Sequence, residues 1–105
     1  MNAGLDDHGR LLSGTVVRSR AGRDRGHIYI VINDSGGERV IVSDGAKRGL
    51  MHTKKKNRKH LRVVGCALPA SAFDDAMKNT PCMRERDTMI RKLLKPFRQT
   101  EIDEL

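Results

Sequence analysis

Residues 11–33 read L-L-S-G-T-V-V-R-S-R-A-G-R-D-R-G-H-I-Y-I-V-I-N. Two apolar runs flank a stretch with four arginines, Arg18, Arg20, Arg23 and Arg25, and a single acid, Asp24. β-Branched Thr15, Val16 and Val17 mark the first run as a strand. Ile28, Ile30 and Ile32, on alternate positions, mark the second. Gly14 inside the first run signals a bulge or a close backbone approach. Gly22 and Gly26 bracket A-G-R-D-R-G, permit a tight turn and let backbone N–H groups approach an anion. Asp24 reads as a turn former that accepts backbone N–H bonds and not as a catalytic acid.

Working outward, D-S-G-G at 34–37 is a hairpin signal. Residues 38–43, E-R-V-I-V-S, make a third strand that Asp44–Gly45 ends. Leu50–Met51 and Leu61–Val64 are two further short segments of strand character flanking a lysine-rich loop. Four to five short strands with turns between them fit a small antiparallel barrel. Seven glycines between 14 and 49 argue against helices there, since each costs a helix interior about 1 kcal/mol relative to Ala. After Gly65 glycine disappears. Ser71 is placed to cap a short helix that carries Phe73 and Met77 on one side. Thr80 and Pro81 can open a second helix, with Thr as cap and Pro first in the helix. Ile90, Leu93, Leu94 and Phe97 have helical spacing, and Pro96 is expected to kink or end that helix. The expected organisation is a flexible leader at 1–10, a barrel at 11–65 and a short α-helical C-terminal tail at 66–105, packed on the barrel or on a partner.

The 105-residue chain carries a formal charge of +8, and the excess is concentrated. Residues 1–45 hold six basic and six acidic side chains, and residues 63–105 hold seven of each. Residues 46–62 hold eight basic and no acidic ones. A net charge packed into one segment points to an anionic partner more than to bulk solubility. Lys47, Arg48 and the run Lys54, Lys55, Lys56, Asn57, Arg58, Lys59 and His60, with Arg62, form the second basic segment beside the arginine loop. The alternative is a solvated loop. A membrane role would call for a flanking amphipathic helix or a lipid anchor, and the run has neither. Lysines attract phosphate diffusely, Arg48 and Arg58 can bind it bidentately, and Asn57 can bond a base edge or a sugar hydroxyl. The two arms are expected on one side, as a continuous basic face.

Other chemistries find little support. The four histidines lack metal-ligand spacing; His52 and His60 suit a surface or RNA-contacting role and His27 a structural one. Cys66 and Cys82 form no C-x-x-C pair and read as reduced thiols of a cytoplasmic protein. There is no phosphate-binding glycine loop, no G-x-S-x-G and no carboxylate pair, so an enzyme, a metal and a cofactor are not expected. The first residues lack the pattern of a secretory leader, and the C-terminal I-D-E-L is read as a coincidental likeness to a retention signal. The chain has three aromatic residues, only Tyr29 among them in the barrel segment, so base stacking cannot dominate binding. Recognition through phosphates and shape suits structured RNA. A DNA-binding reading is weaker, because no helix carries base-reading residues.

S-G-T-V-V-R-S-R-A-G-R-D-R-G-H-I-Y-I-V-I resembles the KOW motif, a strand–loop–strand element with a glycine, here Gly26, at the turn into the second strand. With V-I-V-S-D-G and K-K-K-N-R-K-H-L downstream, residues 11–64 are similar to the bacterial relatives of the large-subunit ribosomal protein family eL-fourteen. The C-terminal T-M-I-R-K-L-L-K-P-F looks loosely like the helical tail of those relatives. The resemblance implies an SH3-like barrel that binds ribosomal RNA, either as a ribosomal protein or as an accessory factor of the large subunit. It assigns the contacts to Arg18, Arg20, Arg23 and Arg25 and to Lys47, Arg48 and Lys54–His60. The chain lacks the longer C-terminal extensions of the archaeal and eukaryotic proteins. KOW barrels also serve as protein-interaction modules in transcription or translation factors. In that alternative Ile90, Leu93, Leu94 and Phe97 would dock a partner.

Overall fold

A computed structural model describes residues 9–103, with side chains to residue 98. His8 and most of the expected leader lie outside the described residues. The strands are β1 (Thr15–Ser19), β2 (Ile28–Asn33), β3 (Arg39–Ser43), β4 (Lys54–Asn57) and β5 (Leu61–Cys66). Two helices follow, α1 (Ala70–Lys78) and α2 (Met83–Asp103). The strands form one antiparallel sheet in the order β4-β3-β2-β1-β5. Its two edge strands are consecutive in the chain and joined only by the 3-10 turn Arg58–His60. So short a link forces the sheet to curl until its edges approach. The result is the expected small, mostly β, barrel-like domain, with the ladder left open between β4 and β5.

The curl has local causes. Val16 pairs with Gly65 and Val17 with Val63, so Val64 is an extra residue in β5. Val31 pairs with Val42 and Asn33 with Ile41, so Ile32 is an extra residue in β2. Each such bulge bends its strand and increases the twist. Gly14, just before β1, is the close approach that its position suggests. Its φ is +87°, and a Cβ there would lie 2.4 Å from the carbonyl oxygen of Leu68.

Alternation along the strands produces two cores. Leu11, Val17, Tyr29, Val31, Val40 and Val42 pack together on the inner face. Val16, Ile28 and Ile30 face the other way and meet Phe73 of α1 and Ile90 and Leu94 of α2. Leu93 and Phe97 are half-buried against this second cluster. The helices are therefore one half of a core, and truncating Leu94 or Ile90 to Ala should cost about 2–5 kcal/mol. Polar contacts fix the docking of α2. The Leu50 N–H donates to Asp87 Oδ1 at 2.9 Å, and Arg91 donates to the Gly45 carbonyl.

Several local expectations are corrected. Lys54–Asn57 is a strand and not a loop, whereas Leu50–Met51 is a turn. Helix α1 begins at Ala70, where the Pro69 carbonyl accepts the Phe73 N–H at 2.9 Å, so Ser71 lies inside the helix and caps nothing. Helix α2 begins at Met83, and the Cys82 carbonyl accepts the Arg86 N–H at 3.0 Å, so Thr80 and Pro81 remain outside it. The helix also runs through Pro96 to Asp103. Pro96 sits on the exposed side, while Leu94 before it and Phe97 after it are held against the sheet. That burial on both sides carries the helix past a residue that cannot donate an N–H.

Candidate nucleic-acid interface

The arginine loop leaves β1 at Ser19 and enters β2 at Ile28. Gly26 makes the turn with φ +88°, and its N–H donates to the Ser19 carbonyl at 2.8 Å. This is the left-handed conformation that side chains disfavour. Asp24 has a different role from the one its sequence position suggests. Its carboxylate accepts no backbone N–H among the described residues and instead gathers four side chains. Tyr29 Oη donates to Oδ2 at 2.6 Å, and Ser19 Oγ lies 2.8 Å from Oδ1. Lys56 Nζ is 2.9 Å from Oδ1 and Lys54 Nζ 3.2 Å from Oδ2. Burial acts to raise the Asp24 pKa, but the bonds from Tyr29, Lys56, Ser19 and Lys54 outweigh it and hold the carboxyl well below its usual range. Burial and the same carboxylate push the Tyr29 hydroxyl upward.

This cluster explains how three consecutive lysines can form a strand. Lys56 pairs with Val40 and Lys54 with Val42, so both share the inner face of the sheet with those valines. Their stems cover the core and their ammonium groups reach Asp24 at its rim. The Lys56 side chain is only 7% exposed. Lys55 points the opposite way, beside Asn33, Arg39 and Ile41. The basic run is therefore split between two faces and does not form one continuous patch.

Arg58 is spent internally as well. Its guanidinium holds Asp34 with both terminal nitrogens and also donates to the Gly37 carbonyl. The Asp34 side chain is wholly buried and also accepts the N–H groups of Leu11, at 2.7 Å, and Gly36, at 2.9 Å. The Arg58 bond, against burial and with help from those N–H groups, lowers the Asp34 pKa to about 2, while Asp34 raises that of Arg58. The expected bidentate phosphate contact is thus a bidentate carboxylate contact. The Asn57 amide oxygen accepts the Lys59 N–H at 2.9 Å and caps the 3-10 turn, which removes that acceptor from base reading.

What remains for a partner is a smaller set. Arg20, Arg23, Arg25, Lys47, Lys59 and Arg62 are exposed, and none has a side-chain hydrogen bond or ion pair to another described residue. His52 and His60 are exposed too, while Arg18 is half-buried in β1 opposite Arg62 of β5. The arginine loop joins these groups. At one end the Arg20 N–H donates to the His60 carbonyl at 2.7 Å, which brings the loop beside Lys59 and Arg62. At the other, a shallow cleft of about 420 Å³ separates it from the 44–49 turn, with Arg23, Lys47, Arg48 and Lys54 in its lining.

Asp44 builds the far wall of that cleft. Its Oδ1 accepts the N–H groups of Ala46, at 2.8 Å, and Arg48, at 2.9 Å, and its Oδ2 lies 2.9 Å from His27 Nε2. Burial opposes ionisation of Asp44, but the Ala46 N–H, His27 and the Arg48 N–H together lower its pKa. His27 packs edge-on against Tyr29 with ring centroids 4.7 Å apart, in agreement with a structural role. Sequence reading missed both Asp24 and Asp44 as organisers. The one available signal was the two-residue period of Lys54 and Lys56 facing the only acid of the arginine loop.

Other features narrow the chemistry. Tyr29 and Phe73 are each 2% exposed, and Phe97 is half-buried. Cys66 and Cys82 are free thiols at the surface. No group of three or more His, Cys, Asp or Glu among the described residues could hold a metal ion, and none of the described helices is long and apolar enough to cross a membrane. Comparison of the sequence with protein-family models and with curated proteins gave no match.

Proposed function

We propose that this protein binds RNA through the arginine loop and the two basic shoulders beside it. The observation that carries the reading is the contrast in pairing. Among the described residues, six exposed cations around the loop have no side-chain partner, while Lys54, Lys56 and Arg58 are matched to carboxylates. Unpaired like charges repel one another, and an anion relieves that repulsion. A polymer of phosphates suits a row of such groups better than a single small anion does. The burial of Tyr29 and Phe73 removes stacking platforms and favours structured RNA, read through its backbone. The resemblance of residues 11–64 to ribosomal KOW proteins makes ribosomal RNA of the large subunit the first RNA to try.

Salt titration of RNA binding tests the reading. Contact with about six phosphates gives a slope of log K against log salt of roughly −4 to −5. A slope near zero, or no binding to folded RNA, would overturn it. Sedimentation of lysate at low and high salt tests the ribosomal part. Co-migration with the large subunit at low salt supports it, and retention at high salt distinguishes a resident protein from an accessory factor. Migration only at the top of both gradients rules the ribosomal part out. The protein-docking alternative loses its main support here, because Ile90, Leu93, Leu94 and Phe97 already cover the protein's own sheet.

A further inference from the structure

The cleft between the arginine loop and the 44–49 turn differs from the rest of the basic surface in being built. Two carboxylates, Asp24 and Asp44, line it among four cations. Counted as isolated charges, they should repel a phosphate. Both are already committed: Asp24 to Tyr29, Ser19, Lys54 and Lys56, and Asp44 to His27 and two backbone N–H groups. Arg23 and Lys47 have no such commitment among the described residues. The acids face inward along the framework, and Arg23, next to Asp24, and Lys47, three positions after Asp44, are left at the rim.

We propose that this cleft seats a phosphate group of the bound RNA and that Asp24 is its positioning residue, a carboxylate that strengthens anion binding by fixing the loop from beneath. The inference rests on the RNA reading and adds where a phosphate enters and what holds the seat. Asp24 ties Arg23, its neighbour in the chain, to β4 and β2, so the rim is held in place before the ligand arrives. An arginine on an untethered turn would lose more conformational freedom on binding. An Asn at 24 keeps one acceptor oxygen for four donors and sets its own N–H groups against Lys54 or Lys56, so the tether fails although the net charge rises by one.

The test compares binding of a short RNA duplex at fixed salt for Asp24→Asn, for the rim double variant Lys47→Gln/Arg48→Gln, and for the combined triple variant. Each is first checked for a native amide spectrum. Asp24→Asn is expected to weaken binding about tenfold and to make the salt slope shallower by about one. Because both changes damage one seat, the triple variant should lose clearly less than the product of the two separate losses. Unchanged or tighter binding by Asp24→Asn overturns the proposal, and so do losses that multiply. Should Asp24→Asn fail to fold, titration of the native protein with inorganic phosphate decides. Shifts of the Arg23, Lys47 and Arg48 amides support the seat, and shifts confined to other residues overturn it. If the native protein shifts with phosphate but binds no RNA, the RNA reading falls and the seat stands.

Discussion

The lysine run and the arginine loop look alike as sequence and behave differently as structure. From Lys54 to Lys59 the chain has five cations in six positions, and three of them, Lys54, Lys56 and Arg58, neutralise buried or half-buried carboxylates. From Arg20 to Arg25 there are three cations and one acid, yet all three arginines are exposed and the acid is turned inward. Charge density along a chain is therefore a poor measure of charge offered to a partner. What decides the matter is where each side chain points and whether an acid waits there.

The sharpest way to break this comparison is to remove a cation from each region. Arg58→Met leaves Asp34 buried with the N–H groups of Leu11 and Gly36 as its partners among the described residues, and should cost about 3 kcal/mol of stability in urea unfolding. A loss below about 0.5 kcal/mol, the range of ordinary surface changes, would show that the pair is dispensable. Next in size is Arg23→Glu/Arg25→Glu, which should leave the urea midpoint within that surface range and reduce RNA affinity at least tenfold. A variant that binds normally would remove the loop from the interface.

Acid sharpens the same contrast. The folded pKa of Asp34 is about 2 against an ordinary 3.8, and that of Asp24 is also depressed. Groups with depressed values stabilise the fold fully above their unfolded pKa and lose that contribution as the pH falls through the folded one. Urea midpoints should be flat down to about pH 4.5 and then decline steeply toward pH 2. A decline beginning near pH 6 would show that these carboxylates are not its cause. The smallest effect belongs to Lys55→Gln, on the far side of β4. It should change stability by less than about 0.5 kcal/mol and RNA affinity by less than twofold, although the residue lies between two that matter.

Much of the fold was legible from residues near one another. The β-branched runs at 15–17 and 28–32 formed β1 and β2, Gly14 made its close approach, and the helical spacing of Ile90, Leu93, Leu94 and Phe97 appeared as one packed face. What stayed hidden depended on distant partners. Lysine is depleted in strands, so K-K-K-N reads as a loop until Asp24, thirty-two positions before Lys56, supplies a place for the ammonium groups. Arg58 reads as a phosphate fork until Asp34 is found beneath it. Pro96 reads as a stop because its cost is local, while the contacts that outweigh it come from the sheet. Of the basic residues that the sequence singles out, Arg20, Arg23, Arg25, Lys47, Lys59, His60 and Arg62 are exposed, whereas Lys56 and Arg58 are part of the framework.

The edge position of β4 gives its lysines one more consequence. An outer strand carries unpaired backbone groups that invite a strand from another molecule, and charged side chains are a common deterrent. Here β4, one of the two edge strands, carries only cationic or polar residues. A second copy laid alongside would bring the exposed Lys55 against its own kind. The segment that locks the inside of the domain thus also sets a charge on the edge, where it deters a strand from a neighbouring molecule.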